Sequence, residues 1–337
     1  MMAAIFGLAG PGITAAERAF FGACRPAGFI LFKRNIETPD QVRRLTDGLR
    51  DLTGRSDLPI LIDQEGGRVA RLGPPHWPAL PAARTIGGIH ALDPARGLRA
   101  ARLLGRVLGG QLAPLGITVN CTPVADVPAP GSHDIIGDRA FARDPAVVGE
   151  LAAAVADGLL AEGVIPVVKH LPGHGRARVD SHHELPVVRA SLDSLLHTDF
   201  QPFFRLHDLP WAMTAHVTYL ALDRAAPATL SREVIETIIR GRIGFQGVLV
   251  SDDLSMAALS GDLASRARRA LAAGCDLVLH CNGDMAEMRA VAHGTSPVSA
   301  HGRARLLAGE ARRRDRRPVG GTDIGAVLAA FREALAI

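Results

Sequence analysis

Short runs that are apolar at every position recur along the chain, separated by longer stretches with a helical apolar stripe. Ala4–Leu8 reads as a first strand and the following AAERAFF as a helix. Gly28–Phe32 (GFILF) and Pro59–Asp63 (PILID) read as strands on either side of a helix over Pro39–Leu52. Ala95–Leu112 is helical, Ile117–Val124 (ITVNCTPV) is a strand, and Ala146–Glu162 is a striped helix ending at Gly163, a frequent helix stop. Val164–Lys169, Trp211–His216, Val248–Ser251 and Asp276–His280 complete the strands. Helices are expected at Leu192–Leu206, Ser231–Arg240, Leu263–Ala273 and near the C-terminus. Strands without alternation, spaced by helices, predict a parallel sheet covered on both faces. Seven or eight such units fit an α/β fold of the (β/α)8 TIM-type barrel class. An open doubly wound sheet is the alternative, but no G-x-G-x-x-G follows the first strand. No Pro/Ser-rich linker divides the chain, so residues 1–337 are read as a single domain.

Polar residues interrupt this pattern at one recurring place, directly after the strands. Asp63 follows PILI, Asp126 follows TPVA, Lys169 and His170 follow IPVV, His216 follows AMTA, and Asp252 and Asp253 follow VLVS. In a barrel these positions share the C-terminal rim, where such folds carry their chemistry. One charge at a strand end has structural explanations; several at the same end predict a polar ligand.

Composition narrows the ligand. Formal net charge is only +4 and aromatics make up 4% of the chain, against the clustered bases and interleaved rings of a nucleic-acid binder. The most basic run, Ala311–Arg317 (ARRRDRR), is read as a solvated helix face. Cys24, Cys121, Cys275 and Cys281 show no C-x-x-C spacing and fit a reducing compartment. MMAAIFGLAG lacks a basic start and is too short to span a bilayer. A cytoplasmic protein with no membrane or nucleic-acid partner is expected; its oligomeric state is not legible.

The segment Lys169–Pro186, KHLPGHGRARVDSHHELP, holds four histidines and two carboxylates in a stretch with two glycines and two prolines. A metal site is disfavoured: there is no H-E-x-x-H or Cys–His pattern, and Lys169 places a cation beside His170. Acid–base chemistry fits better. Asp180 and His182 are two apart, and in an extended segment they project to the same side. A carboxylate on Nδ1 fixes the imidazole tautomer and leaves Nε2 to give or take a proton. Of the adjacent Asp252 and Asp253, one is expected to cap the following turn, with Asp253 favoured for that task. The other is then free as nucleophile or charge stabiliser, as in retaining glycoside hydrolysis.

These residues resemble a known family. Ile238–Ser255, IIRGRIGFQGVLVSDDLS, is similar to the signature of glycoside hydrolase family 3. KHLPGHG followed by D-S-H resembles the form found in its bacterial β-N-acetylglucosaminidases. The resemblance covers almost the whole chain and implies one barrel without a second sandwich domain. It implies Asp252 as nucleophile, His182 as general acid/base and Asp180 as its orienting carboxylate. IDQEGGRVARL (Ile62–Leu72) and IIGDRAF (Ile135–Phe141) match further family segments, implying Asp63, Arg71 and Arg139 as sugar ligands, with Lys169 and His170 completing the set. No cofactor is implied. The implied reaction is retaining hydrolysis of terminal β-linked N-acetylglucosamine from peptidoglycan fragments, with a small muropeptide or disaccharide as substrate.

Only two lysines, Lys33 and Lys169, stand among 38 basic residues. A lysine retained against that bias suggests a task that a guanidinium does not perform. Two alternatives remain. A phosphorylase would use the same Asp252 and His182, because a histidine acid/base adds no second negative charge to repel phosphate. A non-catalytic sugar-binding protein would be marked by loss of one of those residues. The histidine-rich segment is read as a lid, mobile when no sugar is bound, with Gly173 and Gly175 as candidate hinges.

Overall fold

A computed structural model describes residues 1–316 and 322–336. Among these described residues ten strands form, eight of them in one closed barrel: β1 (Met2–Gly7), β2 (Pro26–Leu31), β3 (Ile60–Ile62), β4 (Val119–Asn120), β5 (Ile165–Leu171), β7 (Trp211–Thr214), β9 (Val248–Asp253) and β10 (Leu277–His280). The order around the barrel is β1-β10-β9-β7-β5-β4-β3-β2, with every neighbouring pair parallel. The remaining strands, β6 (Val187–Val188) and β8 (Thr218–Tyr219), pair with each other outside it. The (β/α)8 TIM-type architecture is thus the observed one.

Two hydrophobic clusters explain the uninterrupted apolar runs. Alternate residues such as Leu61, Val119, Val167, Val250 and Leu279 fill the lumen. Their neighbours, among them Ile60, Ile62, Val168, Leu249 and Val278, pack outward against the helices. The strand period of two then places the next inward position of each strand above the apolar layers. Those positions are Asp63, Cys121, Lys169, Asp252 and Cys281, which follow Leu61, Val119, Val167, Val250 and Leu279 by two.

Helix boundaries obey local chemistry. Thr38 caps Pro39–Thr53, with proline at its start and Gly54 left-handed at its end. Asp144 caps Pro145–Ala161 in the same way. The helix expected over Leu192–Leu206 is two, Leu192–His197 and Gln201–Arg205. Pro202 lacks an N–H and fits only the first turn of a helix, so it starts the second one. The expected helix Ser231–Arg240 is instead a π-helical stretch, Val234–Arg242, in which Ile243 N–H donates to Ile238 O at 2.8 Å. Helix Ala83–Leu92 had no counterpart in the sequence pattern.

The basic run lies on helix Ala300–Arg316, where Arg312 pairs with Asp208, and Arg313 and Arg314 pair with Glu310. Its last residue, Arg317, lies outside the described residues. No helix among the described residues is long and apolar enough to cross a membrane.

Candidate active site

At the C-terminal rim a cavity of about 260 Å³ is lined by Asp63, Arg71, Arg139, Lys169, His170, His182 and Asp252. Asp180 stands behind His182. The structure therefore brings all eight sequence-derived candidates to one place. A larger cavity, about 440 Å³, opens at the other end of the barrel between β-strand starts such as Pro59 and Trp211 and the helix bearing Leu306 and Leu307. Size favours that one, but the ionisable groups converge on the smaller.

One wall is a web of charge. Asp63 Oδ1 accepts from Lys169 Nζ at 3.0 Å and Oδ2 from Arg71 NH2 at 3.0 Å. Lys169 Nζ also lies 2.8 Å from Glu65 Oε1. Arg139 grips Glu65 with two parallel bonds, Nε to Oε2 at 2.9 Å and NH2 to Oε1 at 2.8 Å. Burial opposes ionisation of both carboxylates, yet the adjoining cations more than offset it. Asp63 stays below the usual carboxylate range, as does Glu65, and the two anions push Lys169 above the usual lysine range. Sequence reasoning missed Glu65, although it sits inside the quoted IDQEGGRVARL. The two glycines after it are its signal: Gly66 and Gly67 take φ of 101° and 56°. They turn the chain back so that Glu65 N–H reaches Val69 O at 2.9 Å.

The second wall holds a buried carboxylate–imidazole pair. Asp126 is fully buried. Its Oδ1 accepts from the backbone N–H of His170 (3.2 Å) and of His174 (2.7 Å), and its Oδ2 faces His170 Nδ1 at 2.7 Å. Burial works against the charge, but these partners hold Asp126 below the usual range. An ionised Asp126 assigns the Nδ1 proton to His170, leaving Nε2 for the cavity. Neighbouring His174 is also buried; desolvation lowers it to about 4, so at neutral pH it carries no charge. Its Nε2 lies 3.1 Å from Ser181 Oγ, tying the base of the loop to the residue between Asp180 and His182.

The Asp180–His182 pair forms, though not in an extended strand. Asp180 Oδ1 accepts both the backbone N–H of His182 (2.9 Å) and its Nδ1 (2.7 Å), while Asp180 O accepts from His183 N and Glu184 N, both at 2.9 Å. This is an Asx turn: an aspartate side chain closes on the amide two residues ahead. Desolvation works against the charge of Asp180, but the two bonds from His182 prevail and leave it below the usual range. The segment sits inward, with Ala257 N–H on His182 O at 3.4 Å and Ala258 N–H on Ser181 O at 3.3 Å. Both glycines of the loop lie against backbone. A Cβ on Gly175 would stand 2.0 Å from Val127 O, and one on Gly173 would stand 2.7 Å from Asp199 O.

Asp252 closes the floor at the end of β9. Its Oδ1 accepts from Asp253 N–H at 2.8 Å, and its other oxygen has no hydrogen-bond donor among the described residues. Burial opposes its charge; His170 and His216 favour it and prevail, so it is held below the usual range. Asp253 caps the next turn as expected, accepting from Ser255 N (3.1 Å), Ser255 Oγ (2.6 Å) and Cys281 N (3.2 Å). His216, fully buried, donates from Nε2 to Asp253 O at 3.0 Å, with Thr229 Oγ1 2.7 Å from its Nδ1. This steadies the backbone beside Asp252. The entry to β9 is braced too: Arg240 reaches Phe245 O, Gly247 O and Asp276 Oδ2 at 2.9, 2.8 and 2.9 Å.

An ionised carboxylate with one uncommitted oxygen, an imidazole with a fixed tautomer and a web of donors suit attack on a polar, hydroxyl-rich ligand. The comparisons agree with this chemistry. Residues 13–300 match the family model described as glycosyl hydrolase family 3 N-terminal domain. A β-hexosaminidase of Alkalilimnicola ehrlichii is 39% identical over 311 residues, covering 89% of this chain and 88% of that one. The structure of native NagZ from Neisseria gonorrhoeae superposes with a TM-score of 0.87 at 34% identity, covering 99% of this chain and 98% of the other. The same enzyme in complex with N-trifluoroacetyl-D-glucosamine gives 0.87 at 32%, with the same coverage.

Proposed function

The chain belongs to glycosyl hydrolase family 3 as a β-hexosaminidase, and from that premise we propose that it is a retaining exo-β-N-acetylglucosaminidase acting through a covalent glycosyl–Asp252 intermediate. The observation that carries this reading is the free oxygen of an ionised Asp252 in the same cavity as His182, whose Nδ1 is committed to Asp180. Asp63, Arg71, Arg139, Lys169 and His170 hold the hydroxyls of a terminal N-acetylglucosamine. Bonds from Asp63 to Arg71 and Lys169, from Glu65 to Arg139 and from Asp126 to His170 fix them before the sugar arrives, which lowers the cost of ordering on binding. The cavity volume suits one sugar ring, being smaller than the roughly 300–1,000 Å³ of pockets for drug-sized ligands, in keeping with exo action.

In the first step Asp252 attacks the anomeric carbon while His182 Nε2 protonates the departing oxygen. In the second, His182 takes a proton from water, which attacks the same carbon and frees Asp252; two inversions leave the configuration retained. A substrate drawn from peptidoglycan fragments in the cytoplasm fits this chemistry, with the Neisseria relative bound to an N-acylated glucosamine as support for the sugar.

The test is hydrolysis of 4-nitrophenyl β-N-acetylglucosaminide by wild type and Asp252→Ala, with and without phosphate, identifying the sugar by mass. Free N-acetylglucosamine with a near-complete loss in the variant is expected. Turnover undiminished in Asp252→Ala would remove the nucleophile assignment. A sugar 1-phosphate that rises with phosphate would make the reaction phosphorolysis by the same residues.

A further inference from the structure

Ser181 stands between the two residues assigned to proton transfer, and it alone of residues 178–185 is buried. It is 3% exposed, while the side chains of His182 and His183 that follow it are 58% and 84% exposed. Among the described residues, three hydrogen bonds tie this stretch to the rest of the protein. Ala257 N–H and Ala258 N–H donate to His182 O and Ser181 O at 3.4 and 3.3 Å, both long for an amide–carbonyl bond. The third joins Ser181 Oγ to His174 Nε2 at 3.1 Å. It is the shortest of the three and the one made between side chains.

The far end of that bond is rigid. His174 N–H donates to Asp126 Oδ1 at 2.7 Å, the Tyr219 hydroxyl donates to Gly173 O, and Ala129 N–H donates to Gly175 O at 3.0 Å. The His174 ring is buried and its Nδ1 has no hydrogen-bond partner among the described residues, so its one polar contact is the one to Ser181. Buried polar groups need such partners, and here a hydroxyl and an imidazole supply each other's. On the opposite side, Ala257 and Ala258 belong to the turn that follows Asp252 at the end of β9. Ser181 is thus pinned between the loop after β5 and the loop after β9, and His182 is the next residue along the chain.

We propose that Ser181 is a positioning residue for the reaction: its hydroxyl, bound to His174, anchors the Asp180–His182 turn so that His182 Nε2 meets the departing oxygen. This rests on the glycosidase reading above. Ser181 itself touches no reacting atom. Without its bond to His174 the Asx turn still orients the His182 ring, but the turn as a whole loses its side-chain anchor. Asp252, Asp63 and Lys169 are held by bonds of their own, so the loss falls on proton donation and spares the nucleophile.

Two arms test this. In the first, kcat/KM is measured for phenyl and 2,4-dinitrophenyl β-N-acetylglucosaminides, because kcat/KM covers the steps through glycosyl–enzyme formation. The phenyl oxygen takes the His182 proton as its bond to the sugar breaks, whereas dinitrophenolate departs as the anion and needs none. A general acid supplies roughly 10²–10⁴-fold, so in Ser181→Ala the loss on the phenyl glycoside should exceed that on the dinitrophenyl glycoside by about tenfold or more. Ser181→Thr keeps the hydroxyl and should recover most of it. His174→Ala should act in the same way, and the double variant should lose no more than the larger single loss, as two ends of one bond must. In the second arm, hydrogen exchange of residues 178–185 is followed by mass spectrometry; it should rise in Ser181→Ala while that of β5 holds. Faster exchange with equal losses on the two glycosides would overturn the positioning role, as would additive losses in the double variant. Unchanged exchange together with an unchanged ratio would overturn the whole proposal. Wild type inactive on both glycosides, with exchange that still depends on Ser181, would fault the glycosidase reading and leave the anchor standing.

Discussion

Replacing Glu65 by glutamine removes one negative charge from the centre of the charge web and changes little else in shape. Glu65 accepts two bonds from Arg139 and lies 2.8 Å from Lys169 Nζ. At an effective dielectric of about 20, unit charges about 4 Å apart attract by about 4 kcal/mol, so two cations contribute roughly 8 kcal/mol gross. Desolvation of a buried carboxylate takes back several kcal/mol. Breaking a buried pair on one side costs about 3–5 kcal/mol, and glutamine keeps one neutral acceptor, so about 3 kcal/mol is expected. Urea unfolding followed by circular dichroism at neutral pH should show a lower midpoint at unchanged slope. The pH dependence carries the sign. Glu65 is depressed in the folded protein, so its contribution is complete above its unfolded value, about 4.3, and is lost as pH falls toward its folded value. The gap between wild type and variant should therefore narrow as pH falls below about 4. A gap under about 1 kcal/mol at neutral pH, or one that does not shrink in acid, would refute the reasoning.

Asp126→Asn leaves one acceptor for three N–H groups, so stability should fall by about 1–3 kcal/mol in urea melts, and turnover should fall with it as His170 loses its fixed tautomer. The acid limb of kcat/KM should lie below the ordinary carboxylate range, because the proposed nucleophile Asp252 must be ionised and its charge is lost only as pH falls through its depressed value; a limb centred above the ordinary aspartate value of about 3.9 would speak against Asp252 as the group titrating. Asp276→Asn, at the far end of the barrel, weakens contacts to Arg240, Arg305 and the Leu249 amide, so melts should show a loss of about 1–3 kcal/mol while kcat/KM for the aryl glycoside holds.

The barrel was legible because parallel strands buried on both faces spell continuous apolar runs, and the period of two then marks where the lumen ends. Asp63, Lys169 and Asp252 are visible for the same reason: each is the first charged residue on its strand's inward register. Glu65 has no such register. It lies beyond the strand end, and only the double-glycine turn after it brings it onto Lys169. The partnership of Asp126 with His170 spans 44 positions, and nothing local signals it. Asp180 and His182 were paired correctly by spacing but for a geometry they do not adopt; the Asx turn makes the same contact from a bent backbone. Within the signature-like segment Ile238–Ser255, Arg240 carries no sequence signal of its task, which is to brace the start of β9.

The pairing of a buried Lys169 with a chain that holds only one other lysine has a practical consequence. Lys33 is exposed, so mild reductive methylation of the folded protein should mark it first and leave Lys169 for harsher conditions. With isotope-labelled formaldehyde the α-amino group and the two lysines would give separate resonances, the two lysines being told apart by their rates. The slower one would report directly on whether the pocket is filled, since an ammonium already held by two carboxylates feels any hydroxyl that joins them.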